Sequence, residues 1–80
     1  MYTLFKERFY YDKDGIKQHE CERKIFEILE DAQKEMASDY EDLKKPDDCA
    51  FLLNLSFIIT RGFGETREMI LYGILFEDES

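Results

Sequence analysis

The chain has 80 residues, and we expect residues 1–80 to form a single compact domain. It carries 19 acidic and 11 basic side chains, and the resulting formal charge of −8 opposes binding to bare nucleic acid or to an anionic membrane. Hydrophobic residues make up 44% of the chain, which is enough for a folded core, but no apolar run approaches the roughly 20 residues of a membrane span.

The N-terminal region predicts a strand followed by a turn. Residues 2–11 are rich in tyrosine and phenylalanine, a composition typical of a strand. The DKDG run at residues 12–15 is a tight-turn signal, because glycine accepts a positive φ and aspartate bonds to nearby backbone groups. Residues 16–20 either return as a second short strand or lead directly into a helix, and the pattern leaves both alternatives open.

The middle of the chain predicts one main amphipathic helix. Asp39 would fall on the apolar side of this helix if the helix continued without a break. Residues 38–41 have the spacing of a capping box, so we expect a break near Ala37 and a short second helix that Pro46 ends. The apolar stripe, with spacings of three and four residues, is formed by Cys21, Ile25, Ile28, Leu29, Ala32 and Met36.

The C-terminal region predicts a β-hairpin. Residues 50–60 alternate as one strand, and residues 67–76 form a last strand that is apolar on both faces. The predicted fold is α+β with two layers, a small antiparallel sheet of three to four strands and one main helix, in the order β-(β)-α-β-β. One helix covers only one face of the sheet. The apolar surface of the other face is either a contact site for a second copy or a partner, or it is covered by residues 38–50.

Motifs that carry chemistry are sparse. His19, Cys21 and Cys49 are the only soft metal ligands, and they lack the paired spacing of a zinc site and the third group of a nucleophilic pair. The turn at residues 12–15 departs from a calcium loop, which would need acidic residues at Tyr10 and Cys21. We therefore predict a protein that is not an enzyme and that holds no cofactor and no metal ion.

One turn partly matches a nucleic-acid-binding motif. Residues 61–64 (RGFG) fit the first four positions of the signature of the RNA-recognition motif. Residues 65–68 (ETRE) do not continue it, and the match lies in a turn rather than on a strand. RNA binding through the Arg61–Arg67 hairpin is therefore the weakest alternative, and we expect no direct contact with nucleic acid.

The main functional signal is a concentration of acidic residues. Between Glu27 and Leu43 there are seven acidic residues, and Lys34 is the only basic one. Carboxylates three or four residues apart on a helix lie about 5–6 Å from one another, a distance comparable to that between neighbouring phosphates, so they suit a basic groove built for DNA or RNA. The predicted acidic contact residues are Glu20, Glu27, Glu30, Asp31, Glu35, Asp39, Glu41 and Asp42.

The sequence thus predicts a non-enzymatic protein that docks on the basic surface of a nucleic-acid-handling protein. In size, charge and expected fold the chain resembles the anti-CRISPR proteins, and this resemblance implies a phage-encoded inhibitor that acts in the host cytoplasm as a nucleic-acid mimic. Two cysteines and an opening without signal-peptide order also predict a cytoplasmic protein with reduced thiols. The alternative is a homodimer or complex subunit, and the apolar contact residues predicted for either case are Phe63, Ile70, Tyr72, Ile74 and Phe76.

Overall fold

The computed structural model describes residues 1–62 and 66–77, which form one antiparallel sheet of five strands with one helix across one side. The strands lie in the order β2-β1-β5-β4-β3. Within these two ranges, no helix combines the length and the apolar character needed to cross a membrane. The elements are β1 (Tyr2–Asp12), β2 (Gly15–Phe26), α1 (Leu29–Leu43), β3 (Cys49–Leu52), β4 (Ser56–Arg61) and β5 (Arg67–Phe76).

A tight turn joins strands β1 and β2. The backbone N–H of Asp14 donates to Asp12 Oδ1 across 2.7 Å, and Gly15 has a φ of 116°, in the region that favours glycine. Beyond this turn, β2 pairs with β1 from Gly15 to Phe26, with one irregularity that leaves Lys17 unpaired between Ile16 and Gln18. Residues 16–20 therefore belong to a strand, which decides between the two alternatives that the sequence leaves open.

The prediction of three to four strands in the order β-(β)-α-β-β is wrong, because the described ranges contain five strands in the order β-β-α-β-β-β. Cys21 and Ile25, placed by their spacing on the helix, lie in β2, where pairing with β1 outweighs helical periodicity. Residues 50–60 form two strands rather than one. The chain reverses between them, and the N–H of Leu53 donates to the carbonyl of Ser56 across 2.8 Å.

The predicted second helix before Pro46 is also wrong, because helix α1 runs without a break from Leu29 to Leu43. Asp39 lies on the side of the helix that faces the sheet, and the helix continues through it without a break. Lys6 Nζ and the Tyr72 hydroxyl donate hydrogen bonds to the carboxylate of Asp39 across 3.0 Å and 2.8 Å. Two donors from the sheet thus stabilise a charge that would otherwise be costly at this position.

The hydrophobic core lies between helix α1 and one side of the sheet. The helix contributes Ala32, Met36 and Tyr40, at the spacing of four residues that aligns side chains along one stripe. Because successive strand residues point to opposite sides, the buried sheet residues fix which side of each strand faces the helix. These sheet residues are Leu4, Phe57, Ile59, Ile70, Tyr72 and Ile74.

The side of the sheet that points away from helix α1 is called the open face below. Its residues follow from strand alternation and from the register between paired strands. Its described members are Thr3, Phe5, Glu7, Phe9, Tyr11, Ile16, His19, Cys21, Arg23, Ile25, Cys49, Phe51, Ser56, Ile58, Thr60, Arg67, Met69, Leu71, Gly73 and Leu75.

Candidate functional site

The solvent-facing side of helix α1, called the outer surface below, is predominantly acidic. Because the stripe of Ala32, Met36 and Tyr40 is buried against the sheet, the opposite arc of the helix faces water. Among the described residues, no lysine or arginine nitrogen lies within 4.0 Å of a carboxylate oxygen of this surface. The outer surface consists of Glu30, Asp31, Lys34, Ser38, Glu41 and Asp42.

The four carboxylates of the outer surface form two pairs. Glu30 and Asp31 lie in the first turn of the helix, and Glu41 and Asp42 lie in the last. At about 1.5 Å per residue, the pairs are roughly 16 Å apart along the helix axis. The first pair complements the positive end of the helix dipole, whereas the second opposes the negative end, where the last turn carries no basic residue.

Glu35 and Asp39 lie on the flank of helix α1 that faces β1 and β2, and lysines of the same chain neutralise them. Lys6 Nζ lies 2.9 Å from Glu35 Oε2 and 3.0 Å from Asp39 Oδ2. Lys24 Nζ lies 2.5 Å from Glu35 Oε1. The sequence-based set of acidic contacts therefore contains two residues that already have charged partners within the protein.

The pKa values of this cluster follow from its hydrogen bonds. Burial alone would lower the pKa of Lys6, but its hydrogen bonds to Glu35 and Asp39 outweigh burial and raise the pKa. Burial and then the hydrogen bond to Asp39 raise the pKa of Tyr72. The hydrogen bond from Lys24 lowers the pKa of Glu35 despite partial burial. Lys6, Tyr72 and Glu35 thus keep the charge or proton that the cluster requires at neutral pH.

The two remaining predicted acidic contacts lie outside the helix. Glu20 is on strand β2 and accepts a hydrogen bond from Gln18 Nε2 across 3.0 Å. Glu27 follows β2 and precedes the helix, and it is exposed. Glu27 therefore extends the acidic character of the helix N-terminal end, whereas Glu20 belongs to a different surface.

Strand β5 buries the apolar residues that the sequence analysis assigned to a contact. Ile70, Tyr72 and Ile74 are 1%, 7% and 4% exposed, because helix α1 covers this side of the strand. Phe76 is exposed at the end of the strand. Phe63 lies outside the described residues. The three buried residues therefore hold the helix on the sheet and have no surface to offer a partner.

The apolar surface that remains is on the open face. Ile25, Phe51 and Leu75 are 63%, 61% and 56% exposed there. The ring of Phe9 stacks on His19, with the ring centroids 4.3 Å apart. In the sequence, the last strand is apolar on both sides, so the residues that alternate with Ile70, Tyr72 and Ile74 already indicate a second apolar side. Alternation does not show which of the two sides a helix will cover.

Arg61, the first residue of the candidate RNA-binding hairpin, is turned inward. Its Nη2 donates to the carbonyl of Leu43 across 2.6 Å and to Asp48 Oδ2 across 2.9 Å. Its Nη1 lies 3.8 Å from Glu68 Oε2. The guanidinium therefore joins the C-terminal end of helix α1 to strand β4, and its charge is offset within the protein.

Metal and thiol chemistry have few candidates in the described part of the chain. No group of three or more histidine, cysteine or acidic side chains is arranged there to hold a metal ion. Cys21 and Cys49 are exposed free thiols on strands β2 and β3, at opposite edges of the sheet. They are therefore too far apart to form a disulfide with each other.

Comparisons with protein-family models, curated proteins and solved structures found no match. Two surfaces of the molecule are available for contact with a partner. One is the acidic outer surface of helix α1, and the other is the apolar open face on the far side of the sheet. Because the sheet separates them, the two surfaces can contact different partners at the same time.

Proposed function

We propose that the protein is a non-enzymatic interaction protein that docks the outer surface of helix α1 in a basic groove of another protein. The groove is one that normally holds DNA or RNA, so the acidic helix acts as a nucleic-acid mimic and inhibits the partner. A phage-encoded inhibitor is the concrete form of this proposal. The observation that carries it is the position of Glu41 and Asp42.

Glu41 and Asp42 lie where negative charge lowers the stability of the isolated protein. Carboxylates at a helix C-terminus oppose the dipole, at a cost of about 0.3–1 kcal/mol each. In the described residues no lysine or arginine nitrogen lies within 4.0 Å of either carboxylate, although the Arg61 guanidinium, bound to the Leu43 carbonyl, offsets part of the negative helix end itself. A cationic partner would remove the cost, because its charges would complement both the carboxylates and the negative end of the helix.

The helix that carries these acids is held in one orientation. Ala32, Met36 and Tyr40 anchor it to the core, and Gln33 Nε2 donates to the carbonyl of Asn54 across 3.1 Å. At the other end, Arg61 binds the carbonyl of the last helical residue. Because the helix backbone is already positioned, the conformational entropy lost on docking is confined mainly to the exposed carboxylate side chains.

The two pairs of carboxylates suit arginine and lysine side chains on opposite walls of a groove. Ionised carboxylates accept paired hydrogen bonds from a guanidinium, which is also how phosphate is bound. Long-range attraction between the acidic helix and a basic surface accelerates their encounter, and salt screens it. Binding of this kind should therefore weaken steeply as ionic strength rises.

The test compares two variants that remove the same amount of charge. The first replaces the outer-surface acids (E30Q, D31N, E41Q, D42N). The second replaces four exposed acids away from that surface (D14N, E22Q, D47N, E77Q). The parent protein, immobilised, should capture a nucleic-acid-binding protein from lysate of the host cell, and duplex DNA, RNA or salt should release it.

The outer-surface variant should lose this capture, and the control variant should retain it. With the captured protein purified, the parent should displace fluorescent DNA or RNA from it, as measured by polarisation. Equal capture by the two variants would exclude a specific role of helix α1. Capture without displacement of nucleic acid would exclude mimicry.

A further inference from the structure

We propose that the open face is a homodimer interface, on which a second copy of the chain packs its own open face. The two sheets would then stack face to face, about 10 Å apart, with helix α1 of each copy on the outside. This inference is independent of the proposed function, because it concerns the opposite side of the sheet. Three features of the open face support it.

The first feature is the exposed apolar area on the open face. Ile25, Phe51 and Leu75 are more than half exposed, and Leu71 and Ile58 between them are half-buried. Large contiguous apolar patches on a protein surface mark contact sites. The fold measures only 15 Å along its thinnest axis, which fits one sheet and one helix layer with none of the described residues packed over the open face.

The second feature is charge. The chain carries a formal charge of −8, yet the described part of the open face contains one acidic residue, Glu7, and two arginines, Arg23 and Arg67. Glu7 Oε1 lies 3.7 Å from His19 Nε2 on the same face, and the Arg23 guanidinium lies 5.0 Å from the centroid of the Phe5 ring. A basic partner would be drawn to the acidic helix instead, whereas two nearly neutral open faces can meet without like-charge repulsion.

The third feature is area. Each position on one side of a sheet occupies about 33 Å², so the open face, with about twenty positions, covers roughly 650 Å². Stable interfaces bury about 600–1,000 Å² on each partner. A twofold axis brings one patch against itself, so the face needs only to be self-complementary in shape and charge.

Gly73 leaves the sheet backbone uncovered near the centre of this face. It lies opposite Phe5 on one neighbouring strand and Ser56 on the other. A Cβ placed on Gly73 would meet no atom within 4 Å, so the surface is open above it. An apolar side chain of the second copy can therefore pack directly on the backbone at this position.

The experiment measures mass in solution by sedimentation equilibrium over a wide concentration range. The parent protein should approach twice its chain mass of 9.6 kDa as concentration rises. Phe51→Glu and Leu71→Glu should each raise the dimer dissociation constant at least about tenfold, because a charge would be buried in the interface. Phe76→Glu makes the same change as Phe51→Glu at a phenylalanine that is 65% exposed and lies on the helix side of β5 by strand alternation, and it should leave the dimer unchanged.

Far-UV circular dichroism checks that each variant is folded, and Phe51→Glu provides the test if Leu71→Glu does not fold. A parent protein that stays monomeric at every concentration overturns the proposal. So does a dimer that Phe51→Glu leaves intact, because such a dimer must form elsewhere, for example through the unpaired edge of strand β2. A dimer weakened equally by Phe76→Glu also overturns it.

Discussion

The Tyr72 hydroxyl donates a hydrogen bond to Asp39 Oδ2 across 2.8 Å and so joins the central strand β5 to helix α1. The same carboxylate oxygen accepts a hydrogen bond from Lys6 Nζ across 3.0 Å. Two strands therefore hold one carboxylate on the inner flank of the helix. Asp39 has a structural role here, although its neighbours along the sequence suggest an acidic contact surface.

Removing this carboxylate should destabilise the fold. Asp39→Ala leaves the Tyr72 hydroxyl without its acceptor and the Lys6 ammonium with one carboxylate instead of two, so we expect the free energy of unfolding to fall by about 2–3 kcal/mol. Tyr72→Phe removes one hydrogen bond and should cost about 1 kcal/mol. Urea unfolding measures both, with Ser38→Ala on the outer surface as the control. If Asp39→Ala matched Ser38→Ala, the carboxylate would have no structural role.

The same cluster predicts a loss of stability in alkali. The pKa values of Tyr72 and Lys6 are raised in the folded protein, whereas in the unfolded chain the two groups lose their protons near pH 10.0 and 10.5. Above pH 10 the folded state therefore binds more protons than the unfolded state, and the free energy of unfolding falls as pH rises. Tyr72→Phe should reduce this slope, as measured by urea unfolding below and above pH 10. An unchanged slope would contradict the assignment to Tyr72.

Glu35 predicts the opposite dependence in acid. The hydrogen bond from Lys24, helped by Lys6 and opposed by burial, lowers its pKa below the ordinary value of 4.5. Its contribution is therefore complete above pH 4.5 and is lost as pH falls through the lower pKa of the folded state. Glu35→Gln should destabilise the protein at neutral pH, and its difference from the parent should shrink in acid. Unfolding midpoints at several pH values measure this, and a constant difference would disprove it.

From the sequence alone, the presence of strands and of one main helix was predicted better than the residues at which these elements begin and end. The stripe of Ala32 and Met36 correctly indicated an amphipathic helix, because the helical period is preserved where the helix buries its side chains. Cys21 and Ile25 fit the same period but lie in β2, since pairing with β1 is a long-range interaction that no local pattern contains. The reversal after Leu52 was missed because it lacks the glycine or proline that usually marks a turn.

The prediction of the contact surfaces was limited for the same reason, because local sequence does not show long-range contacts. Acidic residues on the helix were recognisable from composition, but the lysines that neutralise Glu35 and Asp39 come from strands distant in sequence. The choice of Ile70, Tyr72 and Ile74 as a contact depended on which side of β5 the helix covers. Alternation gives two equivalent sides, and only the tertiary structure distinguishes them.

Arg61 should be essential for stability rather than for RNA binding. Its guanidinium bonds to Leu43 and Asp48, and a lysine side chain cannot donate to both in the same geometry. We expect Arg61→Lys to lower the free energy of unfolding by about 1–2 kcal/mol. Arg67→Lys, at an exposed residue, should have little effect. Urea unfolding compares the two, and retention of single-stranded RNA that disappears in a folded Arg61→Lys variant would contradict this structural role.

Two glycines, Gly62 beside the start of strand β5 and Gly73 within the strand, should respond oppositely to alanine. Gly62 has a φ of 124°, and an added Cβ would lie 2.9 Å from Arg67 Cα and collide with the carbonyl oxygen of Thr66. Gly62→Ala should therefore lower the free energy of unfolding by about 1–3 kcal/mol. Gly73 lies within β5 at an ordinary φ with open space above it, so Gly73→Ala should be neutral or stabilising by up to ~1 kcal/mol. Thermal unfolding of dilute samples separates these effects from dimer formation, and equal losses for the two variants would show that backbone conformation is not the cause.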